Sequence, residues 1–211
     1  MMLNQAAMSE VSNPCRVACV TGGAKRIGRA LVLALHQANY NIIIHYHTSE
    51  SEAIELVDYC NAIRPQSAKS VQGDLEDFET LPQLTWRIIN SFGRLDCLVH
   101  NASRFYPTPF GQISQQDWQN LFLTNAQTPL FISQYLYPYL KESQGCIISI
   151  LDIHANGKPF GGYTVYNMAK AAHQMMVQSL AIELAPDIRV NGIAPGINIL
   201  PIEGSEQALT T

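Results

Sequence analysis

Short apolar runs rich in β-branched residues alternate with longer stretches of helical period along most of the chain. Residues 16–20, 41–46, 67–72, 95–100, 146–150 and 188–193 have the length and composition of strands. The segments between them predict helices. "SEAIELVDYCNAI" places Ala53, Ile54, Val57 and Ile63 on an apolar side after a Ser/Glu-rich start, as a surface helix covering a sheet requires. "DWQNLFLTNAQTPLFISQYLYPYL" predicts another helix, and a further one begins near Thr164. Each strand is followed by a helical crossover, so the strands pair in parallel. The expectation is a single α/β domain over residues 15–211: a Rossmann-like, doubly wound parallel sheet in three α/β/α layers. Residues 1–14, "MMLNQAAMSEVSNP", have neither a basic start nor a long apolar stretch, and predict a flexible leader.

Ligands of such sheets bind beyond the carboxyl ends of the strands, where strand order reverses. The loops there are "TGGAKRIG", "HYHTS", "GDLED", "HNASRFYPTPF", "LDIHANGKPFGGYTVYNMAK" and "APGINIL", and polar and aromatic groups concentrate in them. With 211 residues, 47% hydrophobic and 14% charged, the chain has material for one substantial core. A net charge of −4 argues against a nucleic-acid partner, and the small cluster Lys25, Arg26 and Arg29 does not change that. Apolar runs such as "NIIIHY" fall far short of the roughly 20 residues a membrane span needs. Cys15, Cys19, Cys60, Cys97 and Cys146 are odd in number, form no CxxC, and sit mostly in strand-like runs. They are expected to be free thiols in a reducing compartment, which makes the cytoplasm the default location. His45 and His47 have no third ligand nearby, so no metal is expected.

In "TGGAKRIG", Gly22, Gly23 and Gly28 let the backbone turn tightly and approach a phosphate held at the start of the next helix. Gly23 and Gly28 have P-loop spacing, but Arg29-Ala30 stands where Lys-Ser/Thr would be required to hold Mg²⁺. An unliganded structural turn is the remaining alternative for the loop taken alone.

The loop does not stand alone. Together with Asn101-Ala102, Tyr166-xxx-Lys170 and Pro195-Gly196 it resembles the short-chain dehydrogenase/reductase family, over about residues 15 to 200. Arg26 in the glycine loop, "HYHTS", "NASRFYPTPF" and Asp152 after strand five are similar to the pteridine reductases within it. The resemblance implies that Gly22, Arg26, Ile27, Gly28, Asp74, Leu75, Asn101, Ala102, Ser103, Lys170, Pro195 and Gly196 line a dinucleotide. Folds that take NAD commonly place an acid after strand two, where it would repel a 2′-phosphate. Here His45, Tyr46, His47, Thr48 and Ser49 stand instead, facing Arg26, so NADPH is the expected cofactor. The alternatives are a helix N-cap for Asp74 and an unliganded histidine pair for His45 and His47.

Tyr166 and Lys170 are four apart and share a helix face. A free tyrosine titrates near 10, and a neighbouring ammonium favours the tyrosinate, so Lys170 is expected to poise Tyr166 as a proton donor in reduction. By resemblance, Asn125 supports Lys170 through water, Phe105 sandwiches a flat pterin, and Tyr163 lines the same pocket. Most family members have a serine where Asp152 stands. A carbonyl needs a hydroxyl donor to its oxygen, whereas a pterin C=N needs a proton at a ring nitrogen, which a desolvated carboxyl can relay. The expected reaction is therefore NADPH-dependent reduction of a dihydropterin or dihydrofolate. A carbonyl-reducing member of the same family and a non-catalytic NADP-binding protein are the alternatives. Arg104 either touches the pterin's polar edge or points to water. The family's usual final helix and strand do not follow "PGINILPIEGSEQALTT", which implies a missing last strand and an uncovered sixth. The segment around Trp118 and the Tyr166 helix are the expected surfaces of a homo-oligomer, a dimer or tetramer.

Overall fold

The structure, a computed structural model, describes residues 15–155 and 157–196. Six parallel strands form one sheet: β1 (Val17–Val20), β2 (Asn41–Tyr46), β3 (Ala68–Gln72), β4 (Cys97–His100), β5 (Cys146–Ile150) and β6 (Arg189–Ile193). Their order is β3-β2-β1-β4-β5-β6, so strand order reverses between β1 and β4. The helices are α1 (Arg26–Gln37), α2 (Glu50–Ile63), α3 (Leu81–Phe92), α4 (Gln115–Phe122), α5 (Thr128–Glu142) and α6 (Thr164–Glu183). This is the Rossmann-like three-layer arrangement, with strand boundaries within one or two residues of those expected. The leader and the segment after Gly196 lie outside the described residues.

Alternation along β1 shows how the layers form. Val17 and Cys19 join Leu84, Ile88, Leu136 and Val177 of α3, α5 and α6, while Ala18 and Val20 join Val32, Ala53 and Leu56 of α1 and α2. A strand buried on both faces cannot show a polar side, which is why these runs are continuously apolar. The α2 pattern needs correction. Its buried stripe is Ala53, Leu56 and Cys60, whereas Ile54 and Ile63 are exposed. Spacings of three and four residues select Leu56 and Cys60 once Ala53 faces the sheet. Local signals bound the helices: Gly93 closes α3 in the left-handed conformation, and Ser114 with Asp117 forms a capping box at the start of α4. The long segment around Trp118 is two helices rather than one, joined by a π-turn at Leu123–Gln127.

No helix among the described residues is long and apolar enough to cross a membrane. The five cysteines are free thiols; Cys15 is exposed and the other four are buried.

Asp96, just before β4, clamps two strands at the end of the sheet away from the ligand loops. It accepts the Val17 amide (2.8 Å) and the Arg94 Nε–H (2.9 Å), with 7% of its surface exposed. Removing that carboxylate strands a buried amide and a guanidinium. Asp96→Ala is expected to lower stability by about 3 kcal/mol, seen as a fall in the urea midpoint at unchanged slope.

Candidate active site

The β1–α1 loop is tied to the β4 loop by a dense set of hydrogen bonds. Thr21 Oγ1 accepts the amides of Asn101 (3.0 Å) and Ala102 (3.1 Å) and donates to the Val99 carbonyl. Asn101 Nδ2 donates back to the carbonyls of Thr21 and Gly22, both at 2.9 Å. The glycines are required by this proximity. A Cβ at Gly28 would lie 2.2 Å from the Gly22 oxygen and 2.7 Å from Asn101 Nδ2, and Gly22 itself has φ of +60° and lies against Ala102. Lys25 precedes α1 without a side-chain cap, which leaves the helix's first amides to a ligand or water. This cradle fits the pyrophosphate of a dinucleotide. Arg26 is exposed at the start of α1 with φ of +49°, and Ile27 is half-buried beside it.

The neighbouring loops depart from expectation at several residues. His45 is not a phosphate ligand: it is 1% exposed, its Nδ1 accepts the Gly22 amide, and its Nε2 therefore donates to the Gly73 carbonyl. Burial pushes its pKa down to about 4, so it is a neutral strut behind the loop. Tyr46 is also buried, with its carbonyl taken by the Gly73 amide. His47, Thr48 and Ser49 are at the surface, exposed or half-exposed, with His47 Nε2 3.7 Å from Asp74 Oδ2. Asp74 also accepts the Glu76 amide at 2.9 Å, closing a turn of its own rather than capping α3. Leu75 can offer only main chain, since its side chain is in the core and its carbonyl accepts Thr128. Lys25 is paired with Glu52 at 2.5 Å, whereas Arg26 is exposed. A cation absent from the sequence expectations is Arg87 on α3, whose charge acts on His45 and Tyr46. Helix periodicity hid it among surface residues.

Tyr166 and Asp152 meet as the resemblance implied. The Tyr166 hydroxyl donates to Asp152 Oδ2 at 2.7 Å, while Asp152 Oδ1 accepts the His154 amide in a short 3₁₀ turn, Ile153–Ala155. That turn absorbs the long spacing between the two residues, and its Ile153 amide reaches the Pro195 carbonyl beside Gly196. The expected poise of Tyr166 is reversed. Burial first, then the adjacent Asp152 carboxylate, push its phenol well above the usual range, whereas the Lys170 ammonium is 5.9 Å from the ring centre. Tyr166 is held protonated by burial first and by the adjacent carboxylate second. Lys170 is 3% exposed, donates to the Ile150 carbonyl at 3.0 Å, and is lowered by burial to about 8.

Asn125 sits in the π-turn, with Nδ2 donating to the carbonyls of Arg104 and Leu121 and Oδ1 accepting the Ser103 hydroxyl at 2.6 Å. Ser103 also faces the Tyr166 hydroxyl, where it favours the anion. Phe105 is 54% exposed and stacks on Tyr163 with ring centres 4.5 Å apart and 12° between planes, its edge relation to Tyr166 spanning 4.8 Å. Arg104 is exposed and forms an ion pair with Glu76, which also accepts from Thr124. Two further residues shape the pocket. Phe160 packs 4.7 Å from Tyr163, and buried Thr108 binds the Gly162 carbonyl and the Val165 amide, holding the β4 loop against α6. Their signal lay only in the aromatic density of the two loops. No group of three or more metal-ligating side chains gathers among the described residues.

A glycine cradle at the switch point and a Tyr-xxx-Lys helix opposite it define an oxidoreductase of the dinucleotide-binding class. The chain belongs to the short chain dehydrogenase family, whose model matches residues 16–205. It is 36% identical to Pteridine reductase 1 of Leishmania tarentolae, across 88% of this chain and 77% of that protein. Hydroxynaphthalene reductase-like proteins Arp2 of Metarhizium brunneum and Metarhizium anisopliae are 28% and 29% identical, across 86% of this chain and 67% of theirs.

The buried lysine has a consequence for stability. Lys170 has a native pKa near 8 against an ordinary 10.5, so between these values the unfolded chain binds the extra proton and stability rises with pH. Replacing Lys170 with Met removes that slope, which over the full window amounts to on the order of 3 kcal/mol. Urea unfolding of wild type and Lys170→Met at pH values spanning this window measures the difference.

Proposed function

We propose that the chain is an NADPH-dependent reductase of a dihydropterin, acting on a C=N bond to give the tetrahydro form. The bond from Tyr166 to Asp152 is the observation that carries the proposal. Gly22, Gly28 and the first amides of α1 would hold the pyrophosphate of a nicotinamide dinucleotide, which would supply the hydride for the carbon. The chain's own residues supply the proton for the nitrogen. Tyr166, held protonated, is the donor, and Asp152, itself fixed by the His154 amide, aligns its hydroxyl. Phe105 and Tyr163 provide flat apolar surfaces that orient a pterin ring. Similarity to a pteridine reductase supports the substrate class. NADPH is favoured by exposed Arg26 in the glycine loop and by His47, Thr48 and Ser49 at the surface after β2, with the acid Glu52 neutralised by Lys25.

The same chain is proposed to work as a homo-oligomer. Met168, Met175 and Ile182 are exposed at seven-residue intervals along α6, and Trp118, Leu130 and Tyr139 are exposed on α4 and α5.

Two measurements test these assignments. NADPH oxidation is expected with dihydrobiopterin or dihydromonapterin but not with a panel of simple ketones, and Tyr166→Phe should lower kcat at least about 100-fold; turnover of ketones alone would reject the pterin assignment. Arg26→Ala is expected to weaken NADPH about tenfold or more while leaving NADH within about twofold. Equal losses for both cofactors in a binding titration would assign Arg26 to the shared pyrophosphate instead.

A further inference from the structure

Phe105 sits in a span of the β4–α4 loop that has little main-chain support. Among the described residues, none from 103 to 107 bonds main chain to main chain, and the first such bond after them runs from the Thr108 amide to the Gly162 carbonyl at 2.7 Å. The position of such a span is set by its side chains. After Phe105, Tyr106 packs against the buried cluster of Leu121, Val165 and Tyr166. Before Phe105, the support is polar and runs through Arg104.

Two ties meet at Arg104. Its carbonyl accepts Asn125 Nδ2–H at 2.9 Å, and the Oδ1 of the same asparagine accepts the Ser103 hydroxyl. Its guanidinium Nε–H donates to Glu76 Oε1, 28 residues away in the chain. Glu76 is a fixed post. The Thr124 hydroxyl of the π-turn donates to the same oxygen at 3.1 Å, the Glu76 amide donates to Asp74 Oδ1 at 2.9 Å, and the adjoining Leu75 carbonyl accepts the buried Thr128 hydroxyl at 2.6 Å. The Glu76 side chain is 24% exposed against 44% for Arg104, so water screens the acid less than its partner. A half-exposed ion pair adds little to global stability. Its effect is local, because it holds the residue next to Phe105, whose ring stacks on Tyr163 and meets Tyr166 edge-on.

We propose that Glu76 and Arg104 are positioning residues for the substrate: Glu76, anchored by Thr124, holds the Arg104 side chain and thereby sets the Phe105 ring against Tyr163 and Tyr166. The proposal rests on the reductase assignment of that pocket. It gives Arg104 a role through Phe105 and no contact with the substrate. The hydrogen bonds of Tyr166, Asp152 and Lys170 run to other partners, so the proton step is left intact when the pair is broken. The loss falls on binding of the flat ring, which a displaced Phe105 no longer orients.

Arg104→Ala and Glu76→Gln are each expected to raise KM for dihydrobiopterin about fivefold, with kcat and the KM for NADPH within about twofold. Arg104→Lys keeps a cation for Glu76 and is expected to stay within about twofold of wild type, since the contact it replaces is a single bond. The double variant Arg104→Ala/Glu76→Gln is expected to lose no more than either single one, because the two residues act through one bond. Losses that multiply in the double variant, or a loss at Arg104 with none at Glu76, put Arg104 on the substrate itself and overturn the proposal, as does an unchanged KM in both single variants. Fluorine NMR of protein labelled with 4-fluorophenylalanine follows the ring without turnover; the chain has seven phenylalanines, and Phe105→Leu assigns the signal. The Phe105 resonance is expected to move toward that of the free amino acid in Arg104→Ala and Glu76→Gln and to hold its place in Arg104→Lys. A resonance unmoved in all three variants, or moved equally in all three, overturns the proposal. Wild-type protein that reduces neither dihydropterins nor ketones would instead defeat the reductase assignment, and the fluorine signal would still decide whether the pair holds the ring.

Discussion

The molecule depends on a knot between two loops that diverge from adjacent strands. Where β1 and β4 lie side by side, their chains leave toward opposite faces of the sheet and open a crevice. Such a crevice collapses or splays unless its rims are joined. Thr21 and Asn101 join them with reciprocal side-chain to main-chain bonds, and the glycines on the β1 side exist because Asn101 and Ala102 come so near. His45 braces the same loop from behind by bonding both the Gly22 amide and the Gly73 carbonyl. A glycine loop with this much internal bonding is preorganised, so a ligand there would require little further ordering of the backbone.

At the other wall of the crevice, burial and charge work against each other. Lys170 loses its water and is pulled toward neutrality, and Asp152 at the mouth of β5 partly restores the charged form. The same Asp152 holds the Tyr166 proton in place. A single half-buried carboxylate thus favours the protonated form of both neighbours, acting with burial at Tyr166 and against it at Lys170. Beneath them, His173, Ser149, His100 and Ser133 carry the polar load of the core, each histidine kept neutral by desolvation.

Much of this was legible in the order of residues. Strands buried on both faces advertise themselves as continuous apolar runs, so the alternating architecture and the loops that carry ligands could be located without coordinates. Gly22, Gly28 and the Tyr166–Lys170 spacing were equally visible, because backbone permissiveness and helical pitch are local properties. The same locality explains the errors. Ile54 and Ile63 look as apolar as Leu56, and only the rotation of α2 on the sheet says which face is covered. "HYHTS" reads as a uniform polar loop, yet β2 runs on to Tyr46, so His45 is buried within the sheet while His47 lies past the strand's end at the surface.

What the chain determined by itself was therefore its architecture and its inventory: one parallel sheet, a glycine turn, and a tyrosine and lysine on one helical face. Which groups are charged, and which touch, was decided only in three dimensions. Lys25 found Glu52, Arg104 found Glu76, and Tyr166 came under the field of Asp152 rather than Lys170. Protonation depends on burial and on the nearest charge across space, and neither quantity is carried by spacing along the chain.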